Sequence, residues 1–407
     1  MKTAPQPLRR RLAFCALMLS ALGLLTASVG WAEPVTIGQT DSLFSKVLDE
    51  QRDLMVYLPD GYATSEATYP VLYLLDARTR FHHTTGTVAT LSDIGQIPEM
   101  IVVAVRNTDR TRDLTPPWTG PAPDDSVPGR AGAVEGGGGA GNFLRFLHEE
   151  LVPYVEGKYR TAPFRILVGH SFGGLFAVHA LVHDPDLFDA VLAISPSLWW
   201  DGGKSVDQAQ ALFEKRPDLH GRLFMTLASE GADMLEQYRR MEALLKYRAP
   251  AGLSWHSRVV DGEDHGSIPI VSVHAGLKAF FPRWQIPPFV REAGLAAVDA
   301  HYASLSGEYG YAIATPEGTI NAMGYEALGG GETDKAVEIF RANIERYPSS
   351  ANVYDSLGEA LEAAGKLAEA RDNYTRALKV SEGSNDPNRA AYQNHLDGVT
   401  AKLAEGK

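Results

Sequence analysis

A serine, a histidine and a choice of carboxylates follow one another along this chain in an order that suits acyl transfer. Ser171 stands between Gly169 and Gly173 in "ILVGHSFGGLFAVHAL", where an apolar run gives way to a helical pattern. A serine hydroxyl attacks well only when a base takes its proton, so a histidine must follow and something must orient it. Of the 12 histidines, His179, His183 and His274 fall on helical periods and His82 and His83 in an early loop. His265, in the polar loop "VVDGEDHGSIP", is the candidate base. Glu230, which follows "RLFMTLAS", is the candidate acid to orient it, with Asp233 three residues on as the alternative. Either also suits the cap of the helix "DMLEQYRRMEALL", and a Ser–His dyad steered by a backbone carbonyl is a third arrangement.

The negative oxygen of a tetrahedral intermediate needs two N–H donors. One is the backbone N–H of Phe172, at the start of the helix; the loop after "VLYLLDA" nominates the backbone N–H of Arg78 as the second. Two stretches are placed to edge a substrate pocket. "NTDRTRDLTPPW" offers Arg110, Arg112, Asp113 and Trp118, unless an internal Arg–Asp pair merely pins that loop. "SPSLWW" offers Trp199 or Trp200 as a wall, unless both simply pack. The Gly/Pro-rich run 115–141 has the composition of a mobile lid.

The elements that must position these groups are legible in outline. "LMVYLP", "VLYLLDA", "MIVVAV", "FRILVGH", "AVLAIS", "LFMTLAS" and "SWHSRVV" read as strands, several apolar throughout, as in a sheet buried on both faces. Amphipathic stretches between the later ones complete an α/β class with a mainly parallel sheet. Ser171 then occupies a strand–turn–helix elbow, whose strain and close backbone passage call for glycine at 169 and 173. Beyond "FFPRWQIPPFV" the strands stop. Gly324 and Gly358, Gly331 and Gly365, Ala336 and Ala370, Phe340 and Tyr374, and Ile344 and Leu378 repeat at the 34-residue spacing of tetratricopeptide helix pairs. "RAAYQNHLDGVTAKLAEG" reads as their capping helix. The expected division is a signal peptide over 1–32, a catalytic domain over 33–285, a linker over 286–318 and helical repeats over 319–407. The repeats suit a peptide groove, a brace or self-association.

Lys2 and Arg9 to Arg11 precede the uncharged "LAFCALMLSALGLLTASVGW", and small Gly30 and Ala32 suit signal cleavage after Ala32. The competing reading is an uncleaved membrane anchor. Cleavage implies a secreted or periplasmic protein and removes the only cysteine, Cys15, so neither disulfides nor a cysteine–zinc site is expected. Four basic and no acidic residues leave with it, taking the net charge from −12 to −16 and disfavouring nucleic acid as a partner. No cofactor is implied, and His82 with His83 lacks a third ligand for a metal.

With these residues in view, the chain resembles the putative-esterase family of α/β hydrolases, which includes S-formylglutathione hydrolases, mycolyltransferases and enterochelin-type siderophore esterases. The likeness covers about residues 38–285 and rests on "VYLPDGY", "YPVLYLLDA", "NTDRTRDLTP", "GGGGAGNFLRFLHEELVPYVEGKYR", "LVGHSFGG", "SPSLWWD" and "DHGSIP". It is closest to a secreted branch near the siderophore trilactone esterases, where a tail like "YPSSANVYDSLGEAL" sometimes follows. The resemblance implies an α/β-hydrolase fold and a serine esterase acting on small-molecule esters, including siderophore-type or aryl esters. Acyl transfer to an alcohol uses the same site, and an inactive scaffold acting through its repeats is the alternative of another class.

Overall fold

The computed structural model describes residues 1, 35–63, 65–121, 134–383 and 386–406. The signal segment, apart from Met1, and the centre of the expected lid lie outside the described residues. Among the described residues no helix is long and apolar enough to cross a membrane. The chain divides into Met1–Ile37 and Gly38–Lys407, and every element below belongs to the second unit.

Eight strands form one sheet in the order β1-β2-β4-β3-β5-β6-β7-β8. They are β1 Gln39–Ser45, β2 Glu50–Tyr57, β3 Tyr69–Leu74, β4 Ile101–Val105, β5 Thr161–His170, β6 Ala190–Ile194, β7 Gly221–Leu227 and β8 Leu253–Val259. From β4 through β8 neighbouring strands pair in parallel, while β2 is antiparallel to both β4 and β1. Because side chains alternate along a strand, β5 sends Leu167 to one face and Ile166 and Val168 to the other, and β6 divides Val191 from Leu192 in the same way. Helices Ala140–Phe146, Phe172–His183, Lys204–Lys215 and Ala232–Arg248 cover the first face; Ala77–Asp93 and Ile268–Phe280 cover the second. This is the three-layer α/β architecture expected of central strands that are apolar along their length.

Three local readings change. Arg78, His82 and His83 belong to helix Ala77–Asp93 and not to a loop. Strand β1, absent from the strands read in the sequence, is a polar edge. Residues 286–318, taken as a linker, carry helix Leu295–Tyr309, whose Val298, Tyr302, Leu305 and Tyr309 are buried. These side chains share one core cluster with Phe164 on β5 and Phe281 and Trp284 beyond the last hydrolase helix. Phe164 meets Tyr309 edge-on at 5.4 Å between centroids, and Phe281 lies 5.1 Å from Tyr309.

The 34-residue period corresponds to two helix pairs, Glu317–Gly329 with Thr333–Arg346 and Ala351–Ala363 with Leu367–Val380. Its cause is steric. A Cβ on Gly324 would come 2.4 Å from the Phe340 ring, and one on Gly358 2.5 Å from the Tyr374 ring. In each pair an aromatic side chain of the second helix fills the space a side chain would need on the first. The last helix, Arg389–Ala404, is held by His395 on Asp355 at 3.0 Å and by Lys402 on Glu362.

Since Tyr309 joins the sheet's core to the tail, Tyr309→Ala is expected to lower unfolding free energy by about 3–5 kcal/mol, the usual loss for a large buried aromatic. Urea denaturation of the full chain reads this out, and a loss under about 1 kcal/mol would show that the tail contact does not support the fold.

Candidate active site

Strand β5 ends at His170, and Ser171 turns the chain into helix Phe172–His183 with φ 62° and ψ −118°, a left-handed conformation rare for a residue with a side chain. Three backbone bonds hold it: Ser171 N–H to Ile194 O at 2.9 Å, and Leu175 N–H and Ser197 N–H to Ser171 O at 2.9 and 3.2 Å. The glycines do not share one role. A Cβ at Gly169 would lie 2.0 Å from the Gly173 carbonyl oxygen, and one at Gly174 would lie 2.9 Å from the Ile194 oxygen. At Gly173 a Cβ would have ordinary contacts, 3.4 Å from Asp76 Oδ2 and 3.6 Å from Leu75. The tight positions are therefore 169 and 174, whereas Gly173 contributes the carbonyl that Gly169 must clear.

His265 reaches this elbow from the loop after β8. Its ring lies 4.5 Å from that of His170, the residue before the nucleophile. Its Nδ1 is 2.8 Å from Glu230 Oε1, whose side chain is nearly buried. Two loops converge to make that pair. Ser229 N–H bonds Glu263 O at 3.0 Å, joining the acid's loop to the histidine's. Asp264 Oδ1 accepts from the N–H groups of Gly266 and Ser267, which closes the turn around His265 and lowers the Asp264 pKa. Asp233 lies exposed in the first turn of helix Ala232–Arg248. Ser171 Oγ is 3.5 Å from the buried Ser197 Oγ, a neighbour the sequence reading missed.

The two expected oxyanion donors sit at helix starts. Phe172 opens the elbow helix, and Arg78 is the second residue of Ala77–Asp93 with an exposed side chain. First-turn N–H groups have no partner within their own helix, so Arg78 keeps the donor expected of it despite not being in a loop. The approach of Leu75 and Asp76 to Gly173 brings the end of β3 against the elbow.

Of the expected pocket residues, Asp113 is corrected. It is buried at 1% exposure, accepting from Arg52 at 2.7 Å and Arg112 at 2.8 Å, and so is withdrawn from any substrate. Glu50 completes this group: against its burial, bonds from Arg112, Thr108 and Arg52 hold its pKa down at about 2. Arg110 is also engaged internally, donating to both oxygens of Asp76 at 2.7 and 2.9 Å and to His170 O at 3.2 Å. Asn107 gives Asp76 a further bond at 2.6 Å. The Arg–Asp pinning alternative thus describes this loop: Arg112 pairs with Asp113 within it, and Asp76 and Arg52 pair with it from outside. Trp200 is buried, its Nε1 donating to Pro116 O at 2.9 Å, whereas Trp199 is half-buried and packs 6.2 Å from the Phe172 ring. The described start of the expected lid is fastened by Thr119 and Gly120, each 2.7 Å from the Asp201 carboxylate.

Among the described residues, one group has donor atoms close enough to hold a metal: Asp355, Glu359 and His395, all in the helical tail. His82 and His83 form no such group among the described residues.

The profile of the family described as Putative esterase matches residues 45–266. The siderophore triacetylfusarinine C esterase of Aspergillus fumigatus is 31% identical over 202 residues, covering 43% of this chain and 65% of that protein. The ferri-bacillibactin esterase of Bacillus subtilis is 32% identical over 184 residues, covering 42% and 63%. This chain spans just under two thirds of the length of these curated relatives. Among solved structures, an IroE-like serine hydrolase from Shewanella oneidensis superposes with a TM-score of 0.65 and 29% identity over 76% of this chain and 99% of that one.

The unequal glycines predict unequal substitutions. Gly173→Ala is expected to yield soluble protein melting close to the parent, because the added methyl fits and alanine favours the helix by about 1 kcal/mol. Gly169→Ala is expected to lower the melting temperature sharply or abolish soluble expression. Equal melting curves for the two variants would contradict the steric assignment.

Proposed function

The chain belongs to the putative-esterase family of α/β hydrolases, and from that premise we propose that it is a serine ester hydrolase. The observation that carries the proposal is the Glu230–His265 hydrogen bond of 2.8 Å, presented beside a left-handed serine at the end of a parallel strand. In this reading Ser171 Oγ attacks the ester carbonyl while His265 takes its proton. The backbone N–H groups of Phe172 and Arg78 stabilise the oxyanion. His265 then gives the proton to the departing alcohol, leaving an acyl-enzyme. Water, deprotonated by the same imidazole, releases the acid and restores the serine. Glu230 holds the imidazole Nδ1–H toward itself, so that Nε2 is the basic nitrogen, and stabilises the imidazolium.

The substrate we propose is an ester of an aryl or siderophore-type acid, in keeping with the named activities of the relatives. Its flat acyl group would lie against Phe172 and the half-buried Trp199, since aromatic walls favour planar rings. Arg110 enters this reading as the support beneath Phe172, its guanidinium 5.5 Å from the ring centroid, and not as a free anion receptor. We further propose that the protein is exported and cut after Ala32.

Ser171→Ala is expected to cut turnover of an activated ester by about a millionfold, with His265→Ala nearly as severe and Glu230→Gln closer to 10⁴-fold. Fluorophosphonate labelling should fall on Ser171. Turnover like wild type in pure Ser171→Ala protein refutes the nucleophile; a silent Glu230→Gln refutes the acid. For substrate, kcat/KM should favour a feruloyl-type ester or a catecholate trilactone over a neutral alkyl ester at both low and high salt. Mass spectrometry of exported protein should show Glu33 as its first residue, and an intact leader would refute the cleavage.

A further inference from the structure

The proposed reaction uses Ser171, His265 and Glu230 and leaves a second histidine at the elbow without a task. His170 is buried at 7% exposure, between Arg80 and the His265 ring. Arg80 Nη2 lies 3.0 Å from its Nδ1. A guanidinium only donates, so Nδ1 of His170 must be the acceptor and its ring proton sits on Nε2. Protonating Nδ1 would set two donors against each other. Burial first, then the charges of His265, Arg80 and Arg110 against the opposing Asp76, push the His170 pKa down to about 3. On helix Ala77–Asp93, His83 is also driven down to about 4 by burial and by Arg80. His170 therefore presents a neutral ring throughout the neutral range.

His265 needs such a neighbour. Its side chain is 47% exposed and its one side-chain hydrogen bond among the described residues goes to Glu230. A single bond through Nδ1 leaves the ring free to tilt about that contact. His170, at 4.5 Å and 46° between ring planes, closes one side of that freedom. The charge of the neighbour matters equally, because a second imidazolium at this distance would oppose the one formed when Ser171 loses its proton.

We propose that His170 is a positioning residue for the general base: a wall fixed by Arg80 that sets the plane of the His265 ring and stays neutral while His265 becomes charged. The proposal rests on the reading of Ser171 and His265 as nucleophile and base. A second feature supports the unit. His170, Arg80, His83 and Thr84 line a cavity of about 10 Å³ beneath the elbow. Among the described residues, His170 Nε2, Arg80 Nε, Thr84 Oγ1 and both His83 nitrogens are buried without a hydrogen-bond partner. Space and polar groups suit one water molecule, which would take the Nε2–H and fix the same tautomer from the other side.

The test uses the full chain, an activated aryl ester and pH–rate profiles of four variants. His170→Leu, which removes the flat ring, is expected to lower kcat about 100-fold with KM nearly unchanged, the scale of a misplaced catalytic group. His170→Phe keeps a neutral ring and is expected to stay within about tenfold of wild type. Arg80→Met removes the donor that fixes the His170 ring, so the ring plane is released and plateau kcat is expected to fall about tenfold with KM nearly unchanged. In Arg80→Met/His170→Phe the ring needs no donor, and plateau kcat should match that of His170→Phe. A wild-type kcat in His170→Leu or in Arg80→Met, or a further loss in the double variant relative to His170→Phe, overturns the proposal. If His170→Leu does not fold, the Arg80 pair of variants decides alone. Activity surviving in Ser171→Ala or His265→Ala would instead strike the parent reading, so the two failures are distinguishable.

Discussion

Ser171 is held where a residue with a Cβ is costly, in a left-handed turn of the kind that stores about 1–3 kcal/mol of strain. That strain persists because the elements on both sides leave it no alternative. Strand β5 is paired with β3 on one side and β6 on the other, and the helix beyond buries Leu175, Phe176, Ala177 and Val178 completely. Between them backbone meets backbone closely enough to exclude a methyl group at Gly169 and Gly174. The serine hydroxyl, the N–H of Phe172, the ring of His170 and the approach of Asp76 are all fixed relative to this one contact. Relaxing the turn would move every group that the proposed chemistry requires.

Charge does the corresponding work in the loops. Asp76, itself left-handed at φ 58°, gathers Arg110 and Asn107, and Arg110 reaches on to the backbone oxygen of His170. The end of β3, the loop after β4 and the elbow are thereby bolted together by charge-assisted hydrogen bonds, the stronger kind. One layer further out, Arg52, Asp113, Arg112 and Glu50 hold the same loop to β2. Both groups are structural, which leaves aromatic surface, and not free guanidinium, as the character of the wall beside Phe172.

How much of this was legible follows from the range of each interaction. Six of the seven strands read in the sequence declare burial through their apolar residues without reference to any partner; the seventh, β8, is an edge with Leu253 as its one buried residue. β1 escaped because "QTDSLFS" is an edge, where polar residues are expected. Helix Ala77–Asp93 escaped because "ARTRFHHTTGTVATLSD" is rich in threonine and histidine, with Phe81, Val88 and Leu91 as its large buried apolar residues. Ser171 and His265 stood out through local context. Glu230 was preferred to Asp233 only for its place after the strand; what positions it is a bond between residues 229 and 263, which no local pattern shows. An Arg–Asp pair within the loop was legible and is present as Arg112–Asp113, but the partners Asp76 of Arg110 and Arg52 of Asp113, 34 and 61 residues away, were not. Arg80 and His170 carried no local signal at all, since their significance is the contact between them.

The helical tail shares a core with the sheet at one end, and at the other the last described helix, Arg389–Ala404, packs on Leu367–Val380. Phe164, Phe281 and Trp284 clasp helix Leu295–Tyr309, and from Glu317–Gly329 onward each helix packs on the next along the chain. A stack of this kind draws its stability from nearest neighbours, so a helix with one neighbour opens more readily than a helix with two. Amide exchange therefore acquires a direction along the molecule. Protection is expected to be highest where Tyr309 meets β5 and to fall toward Arg389–Ala404.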